Sequence, residues 1–185
     1  MPAVIISVLA LLFSVSSFWW MYWRRGNLHV GPPRSYGAYA SADRQMVLYL
    51  PLVFYNDGPI PIMIQNLRLT FINEAPDRPL GFVATIHKLI SSDDRRLAVQ
   101  FPVRGREALS LICEFQRRPA PFLFQEGSYW IRLEAQLWGK RKRDAYWEDL
   151  VTFELNISAQ AATQAPEVAV AYDNLRETLE RNLST

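Results

Sequence analysis

Residues 3–23 carry no charged side chain, and Arg24-Arg25 follow at once. As a helix rising about 1.5 Å per residue, this run would extend roughly 30 Å, the thickness of a bilayer's hydrocarbon core. Ser7, Ser14, Ser16 and Ser17 interrupt the apolar residues. A helical serine returns its hydroxyl proton to a carbonyl one turn back, so these are tolerated in lipid. Phe18, Trp19, Trp20, Tyr22 and Trp23 crowd the far end. Trp and Tyr favour the headgroup level, where an apolar ring keeps its N–H or O–H in water. Arg24 and Arg25 would then meet anionic lipid. The expectation is one transmembrane helix over 3–23, contacting the bilayer through residues 3–25, with Trp19, Trp20, Trp23, Arg24 and Arg25 at the membrane interface.

Two other readings compete. A cleaved signal peptide fits less well, because Met1-Pro2 supplies no Lys or Arg and the apolar run is long, although Ser14-Val15-Ser16 passes as a cleavage site. A buried core helix is disfavoured by the length and the missing polar face. The basic flank is one-sided: Arg24, Arg25 and Arg34 precede the first acid, Asp43. The positive-inside rule then puts the N-terminus outside and the following domain in the cytoplasm, at a plasma or inner membrane. The alternative is a periplasmic or extracellular domain. Cys113 is the sole cysteine, so no intrachain disulfide framework exists.

Without the anchor about 160 residues remain, enough for one domain with its own core. The net charge of +2 lacks the polyelectrolyte character of a nucleic-acid binder, and no nucleic acid is expected as a partner. Residues 24–44 read as a juxtamembrane linker in which Leu28-His29-Val30 forms a short edge strand before Gly31-Pro32-Pro33 breaks it. Residues 45–157 read as consecutive strands with apolar alternation. Leu48, Leu50, Leu52 and Phe54 begin the series, and Asn56-Asp57-Gly58 is a turn of residues that accept positive φ. Ile62 and Ile64 change parity to Leu67, Leu69 and Phe71, which predicts a β-bulge near Gln65-Asn66. Further strands follow at Leu80–Ile86, at 97–103 with Pro102 outward on an edge, at Leu109–Phe115, at Tyr129–Leu137 and at Val151–Ile157.

Glu126-Gly-Ser-Tyr129-Trp-Ile-Arg-Leu resembles the tyrosine corner of immunoglobulin-like sandwiches, in which the tyrosine hydroxyl bonds back to upstream backbone. Phe54-Tyr-Asn-Asp-Gly-Pro-Ile is similar to the Asn-x-Gly hairpins of such modules. The resemblance spans about a dozen residues, implies a fold, carries over no functional residue and lacks the Cys…Trp…Cys framework. The expected fold is an all-β, Ig-like antiparallel sandwich of seven to eight strands, with an N-terminal transmembrane helix and a C-terminal amphipathic helix. After a linker over 158–165, that helix is expected over 166–183, with Val168, Tyr172, Leu175, Leu179 and Leu183 as an apolar seam.

The residue types that carry chemistry are sparse. His29 and His87 have no ligand partner at metal spacing, so no metal is expected. Cys113 alternates in phase with Leu109, Leu111 and Phe115 and reads as core. Asp93-Asp94 and Glu148-Asp149 read as solvated turn charge, and the glycines form no phosphate loop. No catalytic residue or cofactor is expected. One cluster stands out as a partner surface: Trp130, Arg132 and Trp138 on one strand face with Glu134 and Gln136, Trp147 across the hairpin, and Lys140, Arg141, Lys142 and Arg143 at its tip. Ordinary cross-strand packing and a solvated basic loop explain the same residues. The expected function is a non-enzymatic binding, adaptor or assembly module that binds another protein, with a homo-oligomer through the helix seam as a further expectation. The alternatives are an outward-facing ligand- or glycan-binding envelope module and an enzyme with a dispersed site.

Overall fold

A computed structural model of the chain describes residues 2–40, 45–86, 95–138, 145–164 and 170–174. Helix α1 spans Pro2–Tyr22 and is long and apolar enough to cross a membrane. None of its residues is buried. Ser7 and Ser14 donate their hydroxyls to the carbonyls of Ala3 and Ala10, each at 2.9 Å, as expected of serines in an apolar helix.

The rest is mostly antiparallel sheet. Its strands are β1 (Leu28–Val30), β2 (Ser35–Ala40), β3 (Met46–Asn56), β4 (Ile62–Phe71), β5 (Ala75–Ile86), β6 (Arg96–Leu97), β7 (Phe101–Val103), β8 (Ala108–Arg117), β9 (Gly127–Trp138), β10 (Ala145–Ile157) and β11 (Val170–Asp173). A short helix, α2 (Ala159–Gln164), follows β10. The main path runs β10-β9-β4-β5-β8-β3-β2-β11, with β1 on β3, β6 on β5 and β7 on β4. Strand β5 makes the path continuous: its first part pairs with β4 through Gly81↔Arg68, and its second with β8 up to Ile86↔Ile112. Register shifts lie at Leu69/Phe71 and at Phe82/Ala84, where bulges sharpen the local twist. The result is one curled half-barrel. Its ladder runs unbroken where two separate sheets would be divided.

Alternation fills the concave side. Leu48, Leu50, Leu52 and Phe54 of β3, Leu67, Leu69 and Phe71 of β4, Cys113 and Phe115 of β8, and Ile131, Leu133 and Ala135 of β9 are fully buried. The predicted bulge is present in β4 between Ile64 and Asn66, opposite Leu137 and Gln136 of β9. The Tyr129 hydroxyl donates to the Gln125 carbonyl at 3.0 Å and accepts from the Gln125 N–H at 2.9 Å. Phe71, Phe122, Phe124 and Tyr129 close that end, with Phe122 stacked on Tyr129 at 5.5 Å.

Four expectations change. Asn56-Asp57-Gly58 is not a hairpin, because β3 pairs with β8, β2 and β1, whereas β4 pairs with β5, β7 and β9. The run 97–103 is two short strands on different partners, so Leu97 and Val99 are exposed while Val103 is buried. Leu28–Val30 forms the expected short strand, β1, but the segments read as linkers also hold β2 and α2. Within the predicted C-terminal helix, residues 170–173 form β11 on β2 instead, with Tyr172 opposite Tyr36. Val168, Leu175, Leu179 and Leu183 lie outside the described residues.

The two ends of the strand path meet around Asn174. The Asn174 Oδ1 accepts from the Asn156 N–H at 2.9 Å, and its Nδ2 donates to the Glu154 carbonyl at 2.9 Å. An Asn amide carries the same donor and acceptor as a peptide unit, so here it replaces a strand residue against β10. Its Nδ2 also reaches the Pro33 carbonyl at 3.2 Å, and its backbone N–H donates to the Arg34 carbonyl at 2.7 Å.

Candidate functional site

The strand ends Leu28, Asn56, Ile62, Val103, Ala108, Trp138 and Ala145 come together where α1 arrives. The join is packed rather than loose. Asp57 is its hub: Oδ1 accepts from the Asn27 N–H at 2.6 Å, and Oδ2 lies 3.8 Å from Arg24 and 3.5 Å from His29. The Asn27 N–H foremost, then His29 and Arg24, holds the Asp57 carboxyl below the ordinary carboxylate range against the opposing effect of desolvation. The Asn56 side chain is fully buried; it accepts from Gly58 N–H and donates to the carbonyls of Ile60 and Val103. Gly26 and Gly58 touch backbone to backbone, and a Cβ on either would collide with the other. Gly58 is therefore set by close approach and not by positive φ, which among the described residues belongs to Arg106 and Gly127.

The β7–β8 turn completes the grip. Arg106, at φ 59°, donates its backbone N–H to the Asn56 carbonyl at 2.9 Å and its guanidinium to the Met21 carbonyl at 3.2 Å. A cation at a helix C-terminus opposes the negative end of the macrodipole. Arg24 stacks over Trp20 at 4.4 Å. Of the five interface residues expected from sequence, Arg24 is thus engaged by the domain, while Trp19, Trp20 and Trp23 are exposed.

A cleft of about 560 Å³ opens beside this join. Ile60, Ile62, Met63 and Leu137 form its apolar wall, and Arg25, Trp138, Tyr146 and Glu148 its more polar rim. Desolvation first, then the negative charge of Glu148 and the hydrogen bond its carboxylate accepts from the hydroxyl, raise the Tyr146 pKa, with Arg25 acting the other way.

The expected partner surface lies on the convex side of β4, β9 and β10. Trp130, Arg132, Glu134, Gln136 and Trp138 share a face, and Trp147 stands opposite Gln136. Trp130 and Trp138 are 46% and 47% exposed. The centre is a closed ionic network. Arg68 grips Glu134 bidentately at 2.9 and 2.6 Å, Thr70 donates to the same carboxylate at 3.1 Å, and Trp147 covers the guanidinium at 4.1 Å. Burial works to raise the Glu134 pKa, but the Arg68 and Thr70 hydrogen bonds outweigh it and leave the carboxyl below its ordinary value. Arg132 stands 3.9 Å from Glu134 and 3.8 Å from Asp149. A second pair of this kind, Arg95 on Glu114 at 2.7 and 2.9 Å, lies on the convex side of β8. Neither pair was evident in the sequence, where Arg68 and Glu134 are 66 positions apart.

Lys140, Arg141, Lys142 and Arg143, like His87, Asp93 and Asp94, lie outside the described residues. Cys113 is fully buried, and desolvation pushes its thiol up to about 12. Among the described residues no three His, Cys, Asp or Glu side chains gather as metal ligands.

No protein-family model and no curated protein sequence matches this chain. A solved structure of a Bordetella pertussis protein provisionally named ApaA aligns with 72% of this chain and 95% of its own, at 14% identity and a TM-score of 0.36. At that score the likeness supports no conclusion about fold or function.

Proposed function

We propose that the chain is a single-pass membrane protein holding its β-domain directly against the bilayer surface, on the cytoplasmic side, as a non-enzymatic binding, adaptor or assembly module. The observation that carries the proposal is the join itself. An uncharged helix with no buried residue runs into a domain whose Asp57 and Arg106 bind its last turn and the residues just after it. A helix lying free in water would leave its large apolar surface exposed; a helix in lipid does not. The grip leaves no long tether, so the α1 end of the domain would stand at headgroup level. The cytoplasmic side rests on Arg24, Arg25 and Arg34. An Ig-like character of the fold belongs to the same proposal and is supported by the Tyr129–Gln125 bonds.

The test is a pair of experiments on the full chain. A reporter fused after Thr185 reads the compartment, and purification in mild detergent identifies co-purifying chains. Cytoplasmic reporter activity and a reproducible partner are expected. A reporter active only outside the cell, or a lone monomer in repeated native preparations, would overturn the respective part. The outward-facing ligand-binding reading is favoured by the exposure of Trp130 and Trp138, and the reporter decides it.

A further inference from the structure

We propose that the cleft at the α1 end is a binding site for the headgroup of an anionic phospholipid. This rests on the membrane placement proposed above and names the ligand that placement would deliver. The cleft's volume of about 560 Å³ is within the usual range of small-molecule sites. Its chemistry is divided as a lipid's is. Ile60, Ile62, Met63 and Leu137 supply an apolar wall for the glycerol and the first methylenes, and Arg25 supplies an exposed cation for the phosphate. Arg24, by contrast, is committed to Asp57 and Trp20. The one acid of the lining, Glu148, is engaged with the Tyr146 hydroxyl.

Position and charge select the occupant. Arg25 is two residues beyond Trp23, so in the membrane the cleft opens beside the lipid leaflet that surrounds α1. Trp138 and Tyr146, each 47% exposed, stand at the same rim, and such rings favour headgroup depth. Arg25, at the membrane-facing rim of the cleft, would attract an anionic headgroup. A soluble anion would gain from Arg25 but not from the apolar wall, whereas a phospholipid uses both.

The test uses the full chain in nanodiscs of phosphatidylcholine with phosphatidylglycerol added, with native mass spectrometry counting the lipids retained per protein. Preferential retention of phosphatidylglycerol is expected, falling about fivefold in Arg25→Gln and similarly in Met63→Glu, which places a negative charge on the apolar wall. Arg34→Gln, at the opposite end of the domain beside Asn174, should leave retention unchanged, and soluble glycerol phosphate should not compete. Thermal melts confirm that each variant is folded, and Arg25→Gln alters an exposed side chain outside every strand. Equal retention of both lipids, an unaffected Arg25→Gln protein, or displacement by glycerol phosphate would overturn this inference alone. A chain that does not enter the nanodisc would overturn the anchor reading and this inference with it.

Discussion

Asn174→Ala should loosen the seam of the half-barrel. The wild-type amide fills one donor and two acceptors: the Asn156 N–H, the Glu154 carbonyl and the Pro33 carbonyl. A typical intramolecular hydrogen bond contributes about 0.5–1.5 kcal/mol net. These groups are partly buried, so water can reclaim some of the loss, and a total of about 1–3 kcal/mol is expected. For a chain of this size that corresponds to a fall in Tm of about 2–12 °C. Asn174→Asp sharpens the test. It keeps the acceptor for Asn156 but turns a carboxylate oxygen toward the carbonyls of Glu154 and Pro33, so it should melt below Asn174→Ala. Circular dichroism melts of the full chain in one detergent read both variants. An Asn174→Ala protein that melts with the wild type, or an Asn174→Asp protein no worse than the alanine variant, would refute the idea that this amide stands in for a strand.

Three further outcomes follow from the same geometry. Gly58→Ala forces a Cβ into the Gly26 backbone; overpacking of about 1–3 kcal/mol should speed tryptic cleavage after Arg24 and Arg25 roughly tenfold, and an unchanged rate would deny that the join is tight. Glu134→Gln should lose about 1–2 kcal/mol at neutral pH, reduced from the full charged-bond figure because Arg68 keeps partial access to water. Since the folded carboxyl titrates below its ordinary value of 4.5, the wild-type advantage is complete above that pH and vanishes as pH falls through the lowered value, so acid melts should converge. Cys113, buried with its thiol near 12, should resist iodoacetamide in the folded chain and react at once in denaturant; native-state labelling at a free-thiol rate would contradict the burial.

Alternation made most of the sheet legible in advance. The inward sets of β3, β4, β8 and β9 and the bulge near Asn66 are properties of a single strand, which a period of two reveals. Pairings between strands are not local, and alternation within a strand does not reveal them. Asn56-Asp57-Gly58 looked like a hairpin because its residues suit tight turns, yet it is a crossover in which Asn56 is a buried hub and Gly58 serves contact with Gly26. Val168, Tyr172 and Leu175 matched a helical period, but Tyr172 sits in β11 with its ring 5.5 Å from that of Tyr36; an open strand edge on β2 overrides a weak propensity. At the surface, the Trp and Arg face of β9 was visible from parity. The Arg68–Glu134 and Arg95–Glu114 pairs and the cleft behind Arg25 depend on which strands become neighbours, and one sequence does not encode that locally.

Carbonate-washed membranes from cells expressing the full chain, followed by intact mass measurement, test the central claim most directly. The account predicts that the protein stays in the membrane pellet with residues 3–23 still attached, near the sequence mass of 21.4 kDa. A soluble protein shortened at its N-terminus would contradict it.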